Sequence, residues 1–128
     1  MSQHGLITLD FADGTYDFRL SLAGIEELEA KTETSIYLIA DKLRMKLARL
    51  VEMREVIRIG LIGGGTKPAD ALVLVRRYLD ERPLEETRDV ALAVVLAGLA
   101  RIHSDNLKRE TADTSDTEGK QSASTLPQ

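Results

Sequence analysis

Two acidic clusters, a basic stretch and a run of glycines are the parts of this chain whose groups could do chemistry. Glu26, Glu27 and Glu29, and again Glu85, Glu86 and Asp89, each gather three carboxylates, enough in principle to hold a cation or to move a proton. Acid and base work, however, needs a convergent partner. No His, Cys or Ser is spaced to form a nucleophile and base with either cluster, and His4 and His103 stand alone near the two ends. Both clusters fall on predicted amphipathic helices, where charge faces water and carboxylates favour the positive N-terminal end. A non-enzymatic protein without cofactor or metal is therefore expected.

The glycine run, Gly60-Leu61-Ile62-Gly63-Gly64-Gly65-Thr66-Lys67, holds the residue types of a phosphate-binding loop. Their order is wrong. That loop needs Gly-Lys-Ser/Thr after a strand, whereas here Thr66 precedes Lys67 and Pro68 removes a backbone donor where the next helix opens. The run reads instead as a structural joint made of Gly63, Gly64, Gly65 and Pro68. One glycine suffices to close a helix, so three imply a close backbone approach or a bend, with Gly64 expected in a conformation closed to other residues.

The basic set Lys42, Arg44, Lys46, Arg49, Arg54 and Arg58 raises the possibility of nucleic acid, but Asp41, Glu52 and Glu55 interrupt it. The formal net charge is -4 and only 4% of residues are aromatic, which argues against both phosphate-driven binding and base stacking. A small helical DNA-binding regulator is kept as the reading to be displaced.

These segments must be positioned by one domain, since 128 residues support a single modest core. With 43% hydrophobic and 30% charged residues, that core is expected to be aliphatic and helical. Cysteine is absent, so disulfides and thiolate chemistry are excluded. The N-terminus lacks a basic start followed by an apolar run, and no apolar stretch reaches the roughly 20 residues of a membrane span, so a cytoplasmic protein without membrane anchor is expected.

Along the chain, residues 6–11 and 15–20 alternate in polarity about Ala12-Asp13-Gly14, which predicts a β-hairpin with Asp-Gly supplying the positive backbone angles of the turn. Ser21 can cap a short helix ending near Lys31-Thr32. A second helix opens at Thr34 or Ser35, with Ile36, Ile39, Leu43, Leu47 and Leu50 on one face, and continues with a bend near Val51 into a third that ends at the glycines. Pro68 opens a fourth helix, which stops before Pro83, and Leu84 to Ile102 forms the fifth. Its stretch Ala91 to Ala100 has no polar face. Such a helix is buried by neighbours or by another chain, which makes Leu92, Val95, Leu96 and Leu99, with Ile57 and Leu61, the candidate partner-binding residues. Ordinary core is the competing reading of the same six. The expected fold is thus α+β, mainly α: a hairpin packed on four to five helices over residues 1–102, followed by a disordered polar tail over 103–128.

Phe11-Ala12-Asp13-Gly14-Thr15-Tyr16-Asp17-Phe18-Arg19-Leu20, Ile25 to Glu29, Val56 to Gly65, Leu74 to Tyr78 and Arg82-Pro83-Leu84, taken in order, resemble the gene transfer agent family of small phage tail proteins. The resemblance covers residues 5 to 102 and leaves out the tail. It implies a role in building a phage-like tail, as an assembly chaperone that shields the tape-measure protein, or as a structural minor tail component kept in the particle. Implied partners are the tape-measure protein, the tail tube subunit or a second copy of this chain. It carries over no catalytic residue.

Overall fold

Strand β1 (Ile7–Phe11) and strand β2 (Gly14–Phe18) form an antiparallel hairpin whose alternation sorts its two faces. The computed structural model describes residues 5–116, with side chains through residue 100. On the inner face, Ile7 opposes Phe18 and Leu9 opposes Tyr16, with Phe11 and Phe18 buried. On the outer face the cross-strand pairs are polar: the Thr8 hydroxyl donates to Asp17 at 2.7 Å and the Thr15 hydroxyl to Asp10 at 3.0 Å. The turn departs from expectation. Its positive angle belongs to Ala12 (φ 55°), while Gly14 already lies in β2, opposite Phe11.

Five helices follow: α1 (Leu22–Thr32), α2 (Ile36–Arg44), α3 (Leu50–Gly63), α4 (Pro68–Glu81) and α5 (Leu84–Asp116). Ser21 and Ser35 cap α1 and α2 as expected, their hydroxyls accepting from the backbone N–H of Gly24 and Leu38, each at 3.1 Å. Pro68 occupies the first turn of α4, where its missing donor costs nothing. Helix α5 runs on to Asp116 rather than ending at Ile102. No glycine or proline stands between Gly98 and Gly119 to stop it. The part of the expected tail at 117–128 lies outside the described residues.

The expected bend near Val51 is a full interruption at Met45 to Arg49. Lys46 takes a left-handed conformation (φ 61°), and the freed carbonyls at the end of α2 find other donors. Met45 N–H bonds Asp41 at 3.0 Å, Leu47 N–H bonds Lys42 at 2.8 Å, and the Arg88 guanidinium of α5 reaches Leu43 at 3.2 Å. On the far side, Glu52 holds the start of α3 although its side chain is wholly buried. It accepts the Arg49 backbone N–H at 2.7 Å, Lys42 Nζ at 2.7 Å and Arg49 Nη2 at 3.0 Å. Burial alone would raise its pKa, but the bonds from Lys42 and Arg49 outweigh it and hold the carboxyl below its usual value.

Helix α3 is the central element, packed by α1, α4, α5 and β2. It therefore buries residues nearly all round: Met53, Val56, Ile57, Ile59 and Leu61 belong to the core with Leu28, Ile39, Leu43, Val75, Val94 and Val95.

Candidate interaction surface

The groups singled out for chemistry are largely engaged with one another. Glu27 meets Arg58 at 3.1 Å, Glu29 accepts the Ile36 N–H at 2.9 Å, Glu85 meets Lys46 at 2.8 Å, and Asp89 meets Arg88 at 3.0 Å. Glu86 bonds Arg82 at 3.1 Å and the Tyr78 hydroxyl at 3.4 Å. Lys46 and Arg88 hold the Glu85 carboxyl below its usual pKa. Among the described residues no group of three or more His, Cys, Asp and Glu is placed to hold a metal ion, and no helix is long and apolar enough to cross a membrane. The basic stretch is similarly paired: Arg44 with Asp41, Lys42 and Arg49 with Glu52, Arg58 with Glu55. Arg54 alone of that set has no partner among the described residues.

The glycine joint is a site of close approach. A Cβ on Gly63 would fall on the Arg19 carbonyl oxygen and one on Gly64 on the Asp17 carbonyl oxygen, both far inside van der Waals contact. Gly64 itself has φ -87° and ψ -4°, which any residue can adopt, so the expectation of a forbidden backbone conformation is corrected: proximity to β2 demands the glycine. The left-handed member is Gly65, at φ 118°. Arg19 N–H completes the joint by donating to the Gly60 carbonyl at 2.9 Å.

The six apolar candidates divide. Val95, Ile57 and Leu61 are fully buried and serve as core, because α5 and α3 face each other. Leu92 and Leu99 are half-buried against that core, and Leu96 remains 37% exposed. Of the six, only Leu96 keeps substantial exposed surface.

Most of the exposed large apolar side chains lie elsewhere. Tyr37, Leu38, Met45 and Leu47 are exposed on α2 and the segment after it, Leu47 by 61%. Leu50 at 47%, Leu72, Val73 and Leu84 continue the exposed set on α3, α4 and the start of α5. Sequence reasoning missed it because Leu47 and Leu50 fit the helical stripe of α2, and only the break at Met45 to Arg49 turns them outward. Two depressions adjoin this set. One of about 120 Å³ lies among Lys46, Ala48, Met53, Leu84, Glu85 and Arg88. A second, of about 370 Å³, lies between α3 and α4 and is lined by Leu50, Arg54, Leu72, Arg76, Leu79 and Asp80.

A family model described as phage tail tube protein, GTA-gp10, matches residues 4–101. The chain belongs to this family. No curated protein and no solved structure gives a significant match. The matched segment agrees with the resemblance read from the hairpin, the glycine joint and the Leu74 to Tyr78 segment, and it establishes a phage or gene transfer agent tail-related protein. Every exposed apolar residue named above falls within the family's part of the chain.

Proposed function

We propose that this tail-family protein is a non-enzymatic assembly chaperone that shields apolar helix surface of the tape-measure protein during tail morphogenesis. The observation that carries the reading is the exposed apolar set on α2, the Met45 to Arg49 segment and the start of α5. Several large apolar side chains held in water on a small domain support a surface that another protein covers. A helix laid on such a surface is recognised through side chains one turn apart, without a reaction or a cofactor. Soluble expression tests it. Co-expressed with the tape-measure protein encoded nearby, the chain is expected to co-elute with it on size exclusion, while the tape-measure protein alone precipitates. Separate elution with continued aggregation overturns the reading.

The family description favours a second reading, a tail subunit retained in the particle. Mass spectrometry of purified particles distinguishes the two, because a chaperone is depleted and a subunit is stoichiometric.

A further inference from the structure

The hairpin has two edges, and the fold closes one of them. Opposite residues of an antiparallel pair either exchange their backbone bonds or direct them outward, in alternation. Asp17 is of the outward kind: its carbonyl oxygen lies against Gly64 at the end of α3, and Arg19, two residues on, donates its N–H to Gly60. The end of α3 therefore covers the edge of β2. Thr8 stands opposite Asp17, and Asp10 opposite Thr15. The same alternation turns the N–H and C=O of Thr8 and Asp10 away from β2, toward the edge of β1.

That edge has no such cover. Among the described residues, no backbone hydrogen bond outside the helices and the hairpin reaches Thr8 or Asp10, and both residues are exposed. Helix α5 touches β1, but a helix spends its backbone groups internally and cannot pair with a strand. Ile7 and Leu9 stay only half-buried on the inner face that buries Phe11 and Phe18. The strand carries neither lysine nor proline, and its pairing with β2 has no bulge, the devices that commonly blunt an exposed edge.

We propose that β1 pairs with β1 of a second copy of this chain, antiparallel about a two-fold axis at Leu9. The sequence Ile7-Thr8-Leu9-Asp10-Phe11 is complementary to itself in that register. Each Asp10, the one charge of the strand, meets Thr8 of the other copy. The hairpin already uses that pairing twice, in Thr8 with Asp17 and Thr15 with Asp10. Leu9 meets Leu9 on the inner face, and the outward groups of Thr8 and Asp10 supply about four backbone bonds. The neighbouring registers that keep those groups matched are worse, since one sets Asp10 against Asp10 and the other sets Phe11 against Gly5. The product is a four-stranded sheet in the order β2-β1-β1-β2, with each outer edge covered by α3. The contact is therefore isologous and closes at two copies. It needs no tail partner and holds or fails apart from the chaperone reading.

Sedimentation velocity of the full chain over a concentration series should show monomer and dimer in exchange. Thr8→Pro removes an outward N–H while leaving every backbone bond to β2, and should weaken the dimer by about tenfold or more. The chain has no cysteine, so Leu9→Cys can form a disulfide only with another copy. Residues facing each other across a pair without backbone bonds lie within disulfide reach, so mild oxidation should join Leu9→Cys about tenfold faster or more than Thr15→Cys on the outer strand. A cooperative melt shows that the proline variant is folded, and the cysteine pair decides by itself if it is not. A monomer at every concentration, a dimer that folded Thr8→Pro leaves intact, or equal crosslinking at the two cysteines overturns the proposal.

Discussion

At the scale of single residues, proximity rather than conformation decides what is tolerated. Gly64→Ala places a methyl group on the Asp17 carbonyl, and relieving that overlap should cost about 2 kcal/mol or more, read as a lowered melting temperature. Three glycines in a row were legible as a joint, and the family they resemble was legible with them. That the constraint at Gly64 comes from β2 was not, because no local pattern says which distant backbone will lie against a helix end. Thr87 is the converse case. Its hydroxyl is buried without a hydrogen-bond partner, so Thr87→Val should raise stability by about 1 kcal/mol in chemical denaturation.

At the scale of elements, the junction between α2 and α3 depends on one buried carboxylate. Glu52→Gln keeps the shape but removes the counter-charge of Lys42 and Arg49, and should destabilise by about 1.5 kcal/mol, the worth of a hydrogen bond to a charged group, since both cations stay in partial contact with water. The pH dependence has a definite sign. The folded carboxyl titrates below the ordinary value of 4.5, so its contribution is fully present above about pH 4.5 and is lost as pH falls through the lower folded value. The Gln variant should therefore show a flatter decline of stability with acidification, measured by denaturation at a series of pH values. Helix starts at Ser21, Ser35 and Pro68 were readable because each rests on chemistry within one turn. The break at Met45 to Arg49 was not. It contains neither glycine nor proline, and it is held by Glu52, three residues beyond it, and by Arg88 on another helix.

At the scale of the whole molecule, the two readings of the six apolar candidates, core and partner surface, separate residue by residue. Val95 is core, so Val95→Asp should unfold the domain by placing about 4 kcal/mol or more of uncompensated charge in it, against a total stability of about 5–15 kcal/mol. Leu47→Asp should leave the melting temperature unchanged and, if the exposed set holds the tape-measure protein, abolish co-elution with it. The α5 residues were chosen because that helix is apolar on every side; core packing accounts for Val95 and for one side of Leu92 and Leu99, and leaves Leu96 exposed.

The bond from Arg19 N–H to the Gly60 carbonyl ties the end of the hairpin to the helix at the centre of the fold. Freeing that amide requires the end of the hairpin to part from α3. In deuterated water the Arg19 amide should retain its proton as long as the slowest amides of α3, so that one site near the start of the chain serves as a clock for opening of the entire domain.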